Sequence, residues 1–313
     1  DIDKIADNVQ GGVSNIEDIY PLSPLQEGIY FHHLMSTKEE GDPYVLPHLM
    51  AFSDEEKRNS FIDALQYVVN RHDVLRTSVI SEGLPKAVQV VNKEAQLSVE
   101  KSIIADDVED VIAELKRENA AGKLWVDVSE APLMKLKAID DPKNNGYYLV
   151  LLEHHLMFDH IGVEKVVDEV TMCLIGEHSN LPEPVLYRNF IGHTLHLQKT
   201  NDSEAYFKNI YTDIEEPTYP FELVDVKGTG TSIQESSIIL PEQLSKSIRE
   251  VSTKYGMSPA VLFHAAFGLV IGKCSNKNHA IFGSLFSGRL QGSLGVEDSL
   301  GRAIPRLGVI VDF

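Results

Sequence analysis

The sequence predicts an α/β fold in two layered lobes, residues 1–180 and 181–313, from three observations. Helical periodicities alternate with apolar strands in both halves, the pattern of helices covering a sheet. The segment Tyr147 to Glu153 is apolar almost throughout, as expected of a central strand covered on both faces. Pro182-Glu-Pro184 interrupts the pattern and marks the boundary between the lobes. With 313 residues and 43% hydrophobic content, the chain can bury a sizeable core and is expected to be soluble and globular.

In chain order, Ser23 reads as the N-cap of a short helix with Pro24 at N1. Phe61, Ala64, Leu65, Val68 and Val69 recur at helical spacing up to Arg71-His72-Asp73, before a strand from Val74 to Ile80. Met134 to Ile139 alternates apolar residues with lysines and turns through Asp141-Pro-Lys-Asn-Asn-Gly146 into Tyr147, a hairpin signal. A helix over Ile161 to Leu174 follows, then a helical segment around Tyr187 to Leu197. Further on come a strand over Ser232 to Leu240, a helix over Glu242 to Tyr255, and a helix capped by Ser258 with Pro259 at N1. A strand over Ala280 to Phe286 comes last.

Charge and composition exclude several classes. Twenty-eight basic and 47 acidic side chains give a formal charge of −19, which repels nucleic-acid phosphates and anionic lipid head groups, and no basic patch relieves it. The most apolar long stretch, Pro259 to Gly272, carries His264, is too short to cross a bilayer and reads as a buried helix. Neither nucleic acid nor membrane is expected as a partner. Cys173 and Cys274 are the only cysteines and suggest a reducing compartment. The N-terminus lacks the basic and apolar regions of a signal peptide and reads as a start inside a longer polypeptide, so a cytoplasmic location is expected.

The chemically loaded run is His154-His155-Leu156-Met157-Phe158-Asp159-His160. It falls between a central strand and a helix, where reactive side chains are held on a rigid frame. A general base needs one imidazole nitrogen free while the rest of the side chain is locked, and Asp159, four residues after His155, could brace the connection. Three histidines and a carboxylate also invite a metal reading. Adjacent histidines at a strand end point different ways, however, and no His-x-x-x-His pair accompanies them.

This run resembles the HHxxxDG signature of nonribosomal peptide synthetase condensation domains, with His160 in place of the final glycine. Other stretches are similar to the same family in the same order: Tyr20-Pro-Leu-Ser-Pro-Leu-Gln-Glu-Gly28, Arg71-His-Asp-Val-Leu-Arg-Thr77, Tyr187-Arg-Asn-Phe190 and Phe282-Gly-Ser-Leu-Phe-Ser-Gly-Arg289. The resemblance implies two chloramphenicol-acetyltransferase-like lobes in a V-shaped pseudo-dimer, with the second lobe incomplete because family members continue beyond the position of Phe313. It implies His155 as the catalytic residue beside His154, and Asp159 as a structural residue salt-bridged to Arg289. Arg76 joins the supporting set, since Arg76 and Arg289 both end apolar strands. The implied partners are upstream donor and downstream acceptor peptidyl carrier domains, which present 4'-phosphopantetheine arms, and an adjacent adenylation domain. No directly bound cofactor is implied.

A subtype is also implied. Gly11 to Tyr20 and His32-His-Leu-Met-Ser-Thr-Lys-Glu-Glu-Gly-Asp42 resemble dual epimerisation/condensation domains, which carry a second HH…GD motif; Asp159-His160 and Gly288-Arg-Leu-Gln-Gly292 fit the same subtype. His33 and His160 are then candidates for a second proton donor. Two departures stand out. Six residues separate Leu34 from Gly41 where the usual pattern has four, and Pro305 and Gly308 replace the asparagine and proline of a family segment reading G-x-x-x-N-T-L-P. The rival readings are ordinary condensation without epimerisation, an acyltransferase using soluble coenzyme A thioesters, and a catalytically degenerate recruitment platform.

Overall fold

The computed structural model describes residues 2–120, 123–212, 214–224, 236–286, 299–301 and 306–313. Their contacts divide the chain into two units, one of Asp1–Thr200 with Ser287–Ile304 and one of Asn201–Phe286 with Pro305–Phe313.

The first unit is built on two sheets. Strands β1 (Ile16–Pro21), β4 (Val88–Asn92) and β3 (Thr77–Ile80) pair antiparallel in the order β1-β4-β3. Strands β2 (Val45–Phe52), β7 (Gly146–His154), β6 (Met134–Asp141) and β5 (Ser98–Ile103) form the order β2-β7-β6-β5, parallel only between β5 and β6. The β6–β7 hairpin expected from the alternation is present, with Asn145 taking the positive φ of 51° that its turn demands. Interior placement accounts for the apolar run in β7: Leu149, Val150 and Leu152 are all buried.

The helices of this unit are α1 (Ile2–Asp7), α2 (Pro24–Met35), α3 (Glu55–Arg71), α4 (Val111–Glu118), α5 (His160–Leu174) and α6 (Tyr187–Thr200). Ser23 and Gln26 close a capping box at the start of α2, with Pro24 at N1. Leu65, Val68 and Val69 of α3 join Leu149 and Val150 in one continuous core. The strand expected over Val74 to Ile80 starts later, at Thr77. Asp73 first accepts the Val74 N–H and turns Val74–Arg76 into a short 3-10 helix. Asp73 also accepts the backbone N–H of Tyr187 at 2.9 Å, and burial pushes its pKa up. Fully buried Tyr187 thus ties α6 to the first unit, so Pro182-Glu-Pro184 lies inside that unit and the contact division falls after Thr200.

The second unit holds α7 (Ser203–Ile210), α8 (Glu242–Tyr255), α9 (Pro259–Cys274) and an antiparallel pair, β8 (His279–Leu285) and β9 (Arg306–Asp312). Helix α8 matches its expected bounds and ends on Gly256 in the left-handed conformation. Three expectations are corrected here. Residues 236–240 form no strand; Ile238 and Ile239 are exposed and find no ladder among the described residues. Ser258 precedes α9 but its side chain makes no cap bond. Helix α9 is not buried: Val261, Phe263, Phe267 and Val270 are at least half exposed, and only Gly268 and Gly272 are buried. At those two positions a Cβ would stand 2.7 Å from Val311 and 2.1 Å from Phe313, so glycine is what lets the helix lie on β9.

No single helix among the described residues is long and apolar enough to span a bilayer. Cys173 and Cys274 are free and half-buried.

Candidate active site

Pairing carries β7 as far as its last residue. Val45 is the register partner of His154, the His154 N–H donates to Leu133 O at 2.9 Å, and the His155 N–H donates to Tyr44 O at 2.8 Å. Alternation along the strand sends Glu153 and His154 to opposite faces of the sheet.

His154 is fully buried, and both of its ring nitrogens are engaged. Nδ1 accepts the Leu156 N–H at 3.1 Å, so the ring proton sits on Nε2, which donates to Asp42 Oδ2 at 3.0 Å. Burial holds the pKa of His154 below its ordinary value against the pull of Asp42, in keeping with a neutral ring.

Asp42 is also fully buried and is the hub of the site. Its Oδ2 receives His33 Nδ1 at 2.6 Å as well as His154 Nε2, and its Oδ1 accepts the Tyr44 N–H at 2.8 Å. Burial acts to raise the pKa of this carboxyl. The hydrogen bonds from His154, His33 and Tyr44 outweigh it and hold the group well below the usual carboxylate range. His33 stacks on Trp125 at 4.5 Å between ring centroids and meets His154 edge-on at 5.4 Å. Gly41, at φ 80°, supplies the left-handed turn that swings Asp42 under α2. Within this turn Gly41 N–H donates to Thr37 O, and with six residues between Leu34 and Gly41 Asp42 reaches His33.

His33, Asp42 and His154 present ligand-type atoms within 4.8 Å of one another, a constellation that could suggest a metal. The donor set does not fit one. A metal on His154 Nε2 would leave the ring proton on Nδ1, facing the Leu156 N–H at 3.1 Å, donor against donor.

The segment after the pair is held from several sides. Gln26 Nε2 donates to Leu156 O at 3.0 Å and to Gln89 Oε1 at 2.9 Å, and Gln26 Oε1 accepts from Ser23 N and Gln89 Nε2. This buried amide is therefore fully satisfied. Asp159 is fully buried and caps α5, its Oδ1 accepting the Gly162 N–H at 3.1 Å. A Cβ on Gly162 would lie 2.5 Å from Leu300 O, so glycine permits residues 299–301 to close over the start of α5, where Gly301 bridges to Phe158. Arg71 and His72 both reach Glu169 of α5, at 3.1 and 2.9 Å.

His155 itself is half-buried, on a backbone fixed by Tyr44. His33 belongs to the cluster. His160 does not: its side chain is 79% exposed and faces Glu164 at 3.5 Å, one turn along α5. Arg76 is buried rather than a surface charge, with its guanidinium on Glu17 and the Asn92 carbonyl. Arg289, the stretch Gly288–Gly292 and Pro305 lie outside the described residues, and with them the expected Asp159–Arg289 pair. Gly308, where the family segment has proline, sits in β9 opposite Gly283, and a Cβ there would come within 2.1 Å of the Tyr211 hydroxyl.

Sequence reasoning quoted Asp42 and Gln26 only as members of motifs, without a role, and passed over Trp125. The available signals were Gln26 at N3 of a capping box and a Gly-Asp step after a helix end.

The family model described as "Condensation domain" matches residues 16–312. Malpibaldin synthetase and malpinin synthetase of Mortierella alpina are 36% and 35% identical over 312 residues, all of this chain but 6% and 4% of theirs. Gramicidin S synthase 2 of Aneurinibacillus migulanus is 23% identical over 94% of this chain and 7% of its own. Among solved structures, the epimerization domain from the third module of tyrocidine synthetase B aligns with a TM-score of 0.75 at 18% identity, covering 95% of this chain and 69% of its own. A four-domain nonribosomal peptide synthetase bound to AMP and glycine aligns at 0.69 and 17% identity, over 95% of this chain and 22% of its own. These structural likenesses establish the fold, and the profile match over nearly the whole length goes further: the chain belongs to the condensation domain family of nonribosomal peptide synthetases.

Proposed function

We propose that this chain joins a donor aminoacyl or peptidyl thioester on an upstream carrier domain to the α-amine of an aminoacyl thioester on a downstream carrier, with His155 as the catalytic residue. The division of labour within the histidine pair carries the proposal. Both nitrogens of His154 are bound by Asp42 and Leu156, so His154 positions and does not exchange protons. His155 extends from the next residue of a backbone pinned at both ends. An α-amine has a reference pKa of about 7.7–8.0, so a useful fraction is neutral at neutral pH. The task left to His155 is to orient that amine and accept its proton as the tetrahedral adduct forms, when the nitrogen becomes strongly acidic. The C–N bond forms, the C–S bond breaks, and the donor's phosphopantetheine thiol leaves. Holding two tethered substrates together supplies much of the acceleration, since effective molarities can reach about 10⁵ M or more.

We further propose that the donor's α-carbon is inverted from L to D before condensation. Support comes from the second motif: His33 and Asp42 share the hydrogen-bonded unit that sets His154, and therefore His155 beside it. His33 is a positioning residue, its ring locked between Trp125 and Asp42. His155 is the base at the α-carbon. His160 is the other candidate for returning the proton to the opposite face, and its side chain is exposed beside Glu164 rather than in the cluster.

Mass spectrometry of both carriers after incubation with the domain tests the condensation step. The joined product should appear on the downstream carrier, and His155→Ala should lower its rate at least about 100-fold. Transfer by that variant within about tenfold of wild type contradicts the assignment. Transfer from free coenzyme A thioesters would favour the soluble-donor reading, and unchanged substrates on both loaded carriers the recruitment platform.

A further inference from the structure

Both neighbours of His155 are tied to one helix. On one side His154 Nε2 donates to Asp42, and Asp42 also binds His33 Nδ1 in the last turn of α2. On the other side Leu156 donates its N–H to His154 Nδ1 at 3.1 Å, and its carbonyl accepts from Gln26 Nε2 at 3.0 Å, in the first turn of α2. Gln26 is 1% exposed, and its Oε1 accepts the Ser23 N–H at 3.0 Å as half of the capping box. Gln89 fixes the same amide from a second direction. The two side chains exchange bonds, Gln26 Nε2 to Gln89 Oε1 at 2.9 Å and Gln89 Nε2 to Gln26 Oε1 at 3.1 Å, while Gln89 Nε2 also donates to Pro21 O at 3.0 Å. A capping box needs only the oxygen of its glutamine, and a glutamate serves equally well. Here the nitrogen has a use of its own, on a carbonyl 130 residues away in the turn that carries His155.

We propose that Gln26 is a positioning residue for His155: its amide N–H, aimed by the capping box and by Gln89, fixes the Leu156 peptide and through it the place from which His155 meets the reacting amine. This role rests on the condensation reading, in which His155 is the catalytic residue. Bonds at the Leu156 N–H and at the Leu156 carbonyl together hold that segment of backbone from both sides, whereas the first alone would let it swing about His154 Nδ1. The consequence for rate is steep, since a displacement of about 1 Å at a reacting group can cost about 100-fold. Gln26 acts through the backbone alone. Glutamate in its place separates the two roles of the side chain: it keeps the acceptor that Ser23 needs, but it has no N–H for the Leu156 carbonyl and sets a second oxygen against it.

Gln26→Glu in the intact chain tests this, by transfer kinetics between the two loaded carriers and by amide hydrogen exchange, both at about pH 8, well above the ordinary carboxylate range. The kcat for transfer should fall about 10- to 100-fold with KM for both carriers within about twofold of wild type. The Leu156 amide should exchange at least about tenfold faster, while that of Val150 in the buried part of β7 keeps its rate. A role in capping alone predicts a silent Gln26→Glu, and a merely structural role predicts that both amides exchange faster together. Either result overturns the proposal. Gln89→Met, which removes the second hold on the Gln26 amide, should act in the same direction at about threefold in kcat, and wild-type kcat in that variant overturns the proposal should Gln26→Glu fail to fold. Exchange at Leu156 reads the hold on the turn whether or not carriers are joined, so transfer surviving His155→Ala would count against the condensation reading and an unchanged Leu156 amide against Gln26.

Discussion

At Asp42 two ring N–H groups and a backbone N–H converge on one carboxylate with no access to water. Removing the carboxylate strands all three donors, and each unsatisfied buried donor costs about 1–3 kcal/mol. Asp42→Ala should therefore destabilise the chain by about 3 kcal/mol or more in urea denaturation. Asp42→Asn keeps one acceptor oxygen but turns an NH₂ towards a donor, and should fall between the two. A midpoint for Asp42→Ala equal to wild type would show that the cluster does not hold the site. His155→Ala removes a half-buried ring and should leave stability within about 0.5–1 kcal/mol of wild type while transfer is lost. On this account catalysis and stability should separate onto His155 and Asp42, a separation that a purely structural histidine pair would not show.

Helix α5 begins at His160 because Asp159 caps it, and the capping oxygen is buried. Loss of such a cap costs about 1–2 kcal/mol, so Asp159→Ala should melt below His155→Ala. Asparagine caps as well as aspartate does. Asp159→Asn should therefore recover most of the loss if capping is the whole role, and none of it if Asp159 serves mainly as the charge partner expected from Arg289. Thermal melts of the two variants decide between these. Elements with a strong local period, α3, α8 and the β6–β7 hairpin, were legible in the sequence because their apolar spacing matches the backbone's own. The part of the expected strand that is described, 236–240, was not, since a strand exists only by virtue of a partner that local pattern does not reveal, while 232–235 lie outside the described residues. Helix α9 misled for a related reason: its apolar residues run all round, and burial depends on what packs there. The cluster was half legible. The histidine pair stands out as a motif, whereas the bond from His154 to Asp42 joins positions 112 residues apart and leaves no periodic trace.

Across the whole molecule, the cluster predicts how stability follows pH. Burial depresses the pKa of His154, so the folded chain keeps it neutral while the unfolded chain takes up a proton below about pH 6.5. Stability from this group is present above pH 6.5 and is lost as pH falls, by up to about 1.4 kcal/mol per pH unit. Asp42, also depressed, adds a loss of the same sign below about pH 3.9. Asp73, pushed up by burial, works the other way between its ordinary and raised values, so the clean readout is a difference. Wild type minus His154→Gln, followed by urea denaturation from pH 7 to pH 5, should slope downwards with acid. A flat difference would contradict the depressed pKa, and a difference that rises with acid would mean that His154 is charged in the fold and that the tautomer assigned from Leu156 is wrong.

The union of the two histidine motifs through Asp42 is a structural fact; that the joined site inverts the donor before condensing it is the step most exposed to experiment. Abstracting a proton from a carbon beside a thioester demands stabilisation of the developing enolate as well as a base, so inversion is a sterner requirement than amide formation. The direct measurement is incubation of the L-donor on its upstream carrier in deuterated water with the intact domain and no acceptor, followed by mass and chiral analysis of the released residue. Deuterium at the α-carbon and a D-residue are expected from wild type, and both should disappear in His155→Ala. A donor that keeps its hydrogen and its L configuration while condensation still proceeds would contradict the epimerisation reading and leave an ordinary condensation domain.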